Sequence, residues 1–179
     1  MGMPIRVVPY DPDWAVRFDR ERAALERLLA AWLSGGVHHI GSTSLLGLAA
    51  KPILDMMAGV ADLAAARPAI AVLEGQGWVY APHRPEAYWF YRPAEGEHTH
   101  HLHLTQPGSA LWRERLAFRD ALRADPGLRE EYQALKLRLA AEHGEDTAGY
   151  TADKRAFVSR VLVGAGIELA PGPGPRGRR

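Results

Sequence analysis

Residues 38–60 read His38-His-Ile-Gly-Ser-Thr-Ser-Leu-Leu-Gly-Leu-Ala-Ala-Lys-Pro-Ile-Leu-Asp-Met-Met-Ala-Gly-Val60. Two short apolar runs, near 37–40 and 53–60, bracket a stretch of small and polar residues. Runs of this length bounded by glycine and proline predict strands rather than helices. Gly41 follows the first run, where a residue without Cβ lets the backbone approach a ligand closely. Ser42, Thr43 and Ser44 then offer hydroxyls and amides suited to phosphate oxygens. The same residues also read as a serine-rich turn capped by glycine. Asp55 lies inside the second run, where an ionised carboxylate needs a metal, a cation or amide donors. Pairing with Lys51 or an arginine would satisfy it equally well.

Outward from this stretch the periodicity changes. Trp14, Phe18, Leu25, Leu28, Leu29 and Trp32 recur at helical spacing, predicting a helix over about 12–33. Asp11 is placed to cap it, Pro12 falls in its first turn, and Gly35-Gly36 would stop it. A second helix is expected over 62–75, weakened in its middle by Pro68, followed by a strand near 78–81. Tyr88–Arg92 and His98–Thr105 flank Pro-Ala-Glu-Gly-Glu and read as a hairpin. From Ser109 onward three helical segments are separated by Pro126 and Gly144. The expected class is α+β: a small mixed β-sheet packed with an N-terminal helix and C-terminal helices. One domain is expected over 1–170. The terminal nine residues, PGPGPRGRR, read as a disordered basic tail.

Along 99–105, Thr99, His101, His103 and Thr105 share one strand face, and His100, Leu102 and Leu104 share the other. The leucines mark the core face. Two imidazoles on one face can ligate zinc or another transition metal, or simply form a polar, solvated surface. Lys51 and Arg92 stand beside these strands and could meet an anionic group. Arg84, Arg119, Lys136, Tyr150 and Lys154 are lesser candidates with surface or structural roles.

Composition narrows the possibilities. The chain has 179 residues, 47% of them hydrophobic, and no cysteine. That supports one well-formed core and excludes thiolate chemistry. Three of its 22 basic residues fall in the last four positions, so 19 remain against 21 acidic residues in the body. Such a body lacks the basic footprint of a nucleic-acid binder, and nucleic acid is not an expected partner. No apolar run of spanning length exists and the N-terminus shows no secretory core, so no membrane association is expected. A cytoplasmic location is expected. Nothing in the sequence sets the oligomeric state.

The stretch quoted above resembles the GrpB family closely, through His39–Thr43, Gly47–Pro52 and Asp55. His-Leu-His-Leu-Thr, Phe118–Pro126, Glu131–Lys136, Tyr150 and Lys154 extend the likeness over about residues 5–166. The family is similar to the nucleotidyltransferase superfamily, in which a Gly-Ser turn grips nucleotide phosphates and acidic residues hold divalent metals. The resemblance implies that Gly41 and Ser42 occupy the phosphate turn; Thr43 is expected to hold phosphate with them, and Lys51 and Arg92, by their positions, to neutralise it. It implies that Asp55 takes the first carboxylate position and is catalytic. Met57 stands where a second carboxylate usually lies. Asp55, His101 and His103 are the expected metal ligands, with His39 as a fourth ligand or general base. A divalent metal ion (zinc, manganese or magnesium) is the expected cofactor, and the Asp/His donor set suits zinc, manganese or iron better than magnesium. Without a metal, Asp55 would accept a hydrogen bond from His101 or His103. The expected activity is nucleotidyl or phosphoryl transfer on a small phosphate- or nucleotide-like molecule. A non-catalytic phosphate-binding module and a metal-dependent hydrolase are the alternatives. Members also occur fused to a coenzyme A biosynthetic kinase, which points to nucleotide-like or CoA-related ligands.

Overall fold

The computed structural model describes residues 5–82 and 84–167. The element order is α1 (Asp13–Leu28), β1 (Leu33–Ile40), β2 (Leu54–Val60), α2 (Ala69–Glu74), β3 (Val79–Tyr80), β4 (Ala87–Arg92), β5 (His100–Thr105), α3 (Ala110–Ala124), α4 (Pro126–His143) and α5 (Thr147–Gly164). Among the described residues the sheet has five strands, in the order β1-β2-β5-β4-β3. Of these, only β2 and β5 run parallel; the other pairs are antiparallel. The expected α+β class with a mixed sheet stands, and the architecture is consistent with a nucleotidyltransferase-like fold.

Strand alternation divides the sheet into two chemically different faces. Met56, Ala58, Phe90, Leu102 and Leu104 are buried against Trp14, Phe18 and Leu25 of α1 and Leu73 of α2. Each large apolar side chain contributes about 1.5–3 kcal/mol on burial. A second apolar cluster joins Leu45 and Leu48 to Leu122 of α3, Tyr132 of α4, and Phe157 and Val161 of α5. The C-terminal helices therefore pack onto the loop between β1 and β2, on which Asp55's surroundings depend.

Three boundaries differ from the sequence reading. Helix α1 ends at Leu28, not near 33, because the Leu29 carbonyl accepts the amides of both Trp32 and Leu33 and turns the chain into β1. Gly35-Gly36 does not stop that helix; it lies inside β1 at a register shift between Leu33 and Gly36. Over 62–75 only Ala69–Glu74 is α-helical, and Pro68 precedes its first residue instead of interrupting it. Proline's fixed φ and missing N–H suit a helix start. Pro12, not Asp11, takes the N-cap position and no side chain caps the helix there; the Asp11 carboxylate, one residue earlier, accepts the Asp13 amide at 2.9 Å. The tail at 171–179 lies outside the described residues.

Candidate functional site

The β-register sets which side chains meet. Asp55 pairs across β1 with Ile40 and across β5 with His101. This row lies on the face away from α1. His38, Met57, His103 and Trp89 form the next row on the same face. Asp55 is one-third exposed, so a ligand can reach its carboxylate.

Gly41 closes against Asp55. Its φ is 68° and its ψ −174°, and a Cβ there would fall 2.6 Å from Asp55 Oδ2. A 3-10 turn, Ser42–Ser44, follows. The Ser42 hydroxyl hydrogen-bonds the buried Tyr132 phenol from α4. Farther along the loop, Gln133 Oε1 accepts the Ala49 amide at 2.8 Å, and the Lys136 ammonium donates to the Ala49 carbonyl. The Glu131–Lys136 motif is thus the clamp that holds the β1–β2 loop. Burial, with a smaller push from Lys154, lowers the Lys136 pKa to about 7.

Cations gather around Asp55. Lys51 sits over one ring, Tyr150, at 4.4 Å, and Lys154 of α5 sits over the same ring at 4.4 Å. Burial lowers the Lys51 pKa against the pull of Asp55. Burial, then Lys51 and Arg115, lower that of Lys154 to about 8, while Asp55 opposes them. Burial alone would raise the Asp55 carboxyl. The hydrogen bond from His101 and the charges of His101, His103 and Arg115 outweigh it, holding the carboxyl below its ordinary value. The Nε–H of Arg115, on α3, is buried and meets no acceptor among the described residues. A buried donor in that condition calls for an explanation.

Of the three expected metal ligands, Asp55 and His101 lie in one row and meet, and His103 stands in the next row on the same face. His101 Nδ1 lies 3.0 Å from Asp55 Oδ1, and its Nε2 lies 3.1 Å from His98 Nδ1, so both nitrogens are engaged. Among the described residues, no group of three or more His, Asp or Glu side chains is disposed to hold a metal. Asp55, His101 and His98 form a hydrogen-bonded carboxylate–imidazole chain. Met57 is fully buried at its place in the row, so no polar group replaces the missing carboxylate.

His39 does not join Asp55. Its register partner is Met56, on the α1 face, and its ring stacks on Phe18 with centroids 4.6 Å apart. The Thr43 hydroxyl donates its proton to the Ile53 carbonyl, so its 3.0 Å contact with His39 must be an N–H donated by Nε2. Burial lowers the His39 pKa to about 4. With its hydroxyl so engaged and 5% exposure, Thr43 braces the turn. Arg92 is also elsewhere. It pairs with Glu21 of α1 at 2.5 Å and stacks on Trp78 at 4.4 Å, because its register partner His100 lies on the α1 face. The sequence reading gives no part to Arg115 or to the Tyr132 hydroxyl. Tyr150 and Lys154 carry a legible signal: four apart, they share one helix face.

The same motifs and fold recur in known proteins. A family model described as GrpB protein matches residues 4–163. A UPF0157 protein of Deinococcus radiodurans is 38% identical over 161 residues, covering 90% of this chain and 81% of that protein. A dephospho-CoA kinase of Mycolicibacterium paratuberculosis is 30% identical over 184 residues, covering 86% of this chain and 44% of that protein. The crystal structure of the conserved protein GrpB from Enterococcus faecalis superposes with a TM-score of 0.79 at 31% identity, over 87% of this chain and 94% of that one.

Proposed function

The chain belongs to the GrpB family, and on that premise we propose that it binds a small phosphate-bearing, nucleotide-like molecule at the Gly41–Ser42 turn. One observation carries the reading: Lys51, Lys154 and Arg115 act on a single carboxylate, Asp55, beside that turn. One negative charge cannot balance three positive ones in a partly desolvated place. A phosphate would supply the missing charge and an acceptor for the buried Arg115 Nε–H. Its oxygens would also meet the amides of the 3-10 turn. CoA precursors belong among the candidates, because one relative carries the name dephospho-CoA kinase.

Phosphoryl or nucleotidyl transfer is a second reading, favoured by the state of Asp55. Held ionised by His101 and the surrounding cations, and one-third exposed, it can accept a proton from an attacking hydroxyl. Asp55→Asn would then abolish turnover and leave binding intact.

The test is a thermal-shift panel of phosphate, pyrophosphate, nucleoside triphosphates and dephospho-CoA. A true ligand at about 100 times its Kd stabilises the fold by about 2.7 kcal/mol. No shift with any of these phosphates would remove the proposal.

A further inference from the structure

A large cleft lies outside the phosphate site. Its volume is about 520 Å³, and it opens between α1, residues 42–46 and the α3–α4 junction. That volume is in the range of small-molecule sites. Tyr10, Phe18 and His39 supply aromatic rings to its lining, and Arg123 and Arg129 supply guanidinium groups. His39 is fixed by its hydrogen bond to Thr43 and its stacking on Phe18. The arginines are fixed too. Arg123 donates to the Ser44 carbonyl at 3.2 Å, and Arg129 donates to the Leu122 and Arg123 carbonyls, both at 2.8 Å. A guanidinium has five N–H donors, so each keeps donors after these bonds.

We infer that this cleft binds a planar, ring-bearing organic carboxylate, its ring against Tyr10, Phe18 and His39 and its carboxylate on Arg123 and Arg129. Asp19, also in the lining, is paired with Arg22 at 3.0 Å, and Asp120 is bonded to Arg119 at 2.8 Å and lies 4.0 Å from Arg123. Both carboxylates thus have cations of their own, and Arg123 and Arg129 are left to meet a bound anion. The planar fork of arginine matches a carboxylate's two oxygens. The cleft and the Asp55 site share the 3-10 turn, with Thr43 and Ser44 in the cleft wall and Ser42 bonded to Tyr132. Asp55 also acts on the charge of His39, but the two sites use different cations, and neither proposal depends on the other.

Ligand-observed NMR and calorimetry with benzoate and indole-3-carboxylate test the inference. Saturable binding is expected. Benzyl alcohol, which has the ring alone, and acetate, which has the carboxylate alone, should bind at least about tenfold more weakly, the cost of a lost charge-assisted contact. Arg123→Gln should weaken the aromatic carboxylates by about tenfold, and Lys154→Gln should leave them unchanged. Arg129 holds the last carbonyls of α3, so its replacement could disturb folding. Ala15→Trp is the second variant: it fills the cleft from an exposed helical position and should abolish binding with an unaltered Tm. Absence of saturable binding, binding that survives both Arg123→Gln and Ala15→Trp, or tighter binding of benzyl phosphate than of benzoate would overturn it.

Discussion

Replacing Gly41 with alanine probes the join between the turn and Asp55. Glycine at φ 68° and ψ −174° occupies backbone space that costs other residues about 1–3 kcal/mol. The added methyl would also lie 2.6 Å from Asp55 Oδ2, 2.9 Å from its Cβ and 3.2 Å from its Cγ. Displacing packed atoms costs about another 1–3 kcal/mol. A total near 4 kcal/mol would lower Tm by roughly 8–16 °C in a domain of this size. Gly47→Ala is the matched control: its φ is +76° and nothing lies within 4 Å of the methyl that alanine would add. That variant should lose only the backbone part, about 1–2 kcal/mol. Urea denaturation of both, with shared m-values, measures the difference. If Gly41→Ala costs no more than Gly47→Ala, the turn does not close on Asp55 and the site geometry is wrong.

Anion affinity should fall as pH rises past about 8, where Lys154 loses its proton, and calorimetry from pH 7 to 9.5 would show it. The ligand-free protein should behave oppositely. The unfolded chain binds more protons than the folded one wherever a lysine pKa is lowered. Stability, followed by urea denaturation, should therefore rise with pH from about 7 toward 10. Above 10 the raised Tyr132 and Tyr150 phenols reverse the trend. Gln133→Ala leaves the Ala49 amide without its partner and should cost about 1–3 kcal/mol in chemical denaturation. Phosphate affinity should be unchanged by dialysis against chelator, since the charge there comes from Lys51, Lys154 and Arg115. Zinc titrations of wild type and of the His101→Ala, His103→Ala double variant should likewise agree.

Much of the fold was legible because the periodicities are clean. Leu102 and Leu104 alternate with His101 and His103, and that alternation fixes the core face; the strand register then pairs Asp55 with His101. The helix ends were less legible, because glycine pairs terminate helices and form strand bulges equally well. His39 and Arg92 were misplaced for one reason: a residue's face depends on strand register, which a one-residue shift inverts. Both fell on the sheet face opposite Asp55. The contributions of Arg115, Tyr132 and Lys154 come from helices more than fifty residues away along the chain. Nothing local in Arg113-Glu114-Arg115 distinguishes the arginine that turns inward from the one that does not.

The central claim is that the cations around Asp55 form an anion site. Calorimetric titration of pyrophosphate into wild type, Lys51→Gln and Lys154→Gln at pH 7 tests it most directly. The account predicts saturable binding to wild type, weakened by about tenfold or more in each variant, with Tm values close to wild type. Pyrophosphate that fails to bind wild type, or binds all three proteins equally, would contradict it.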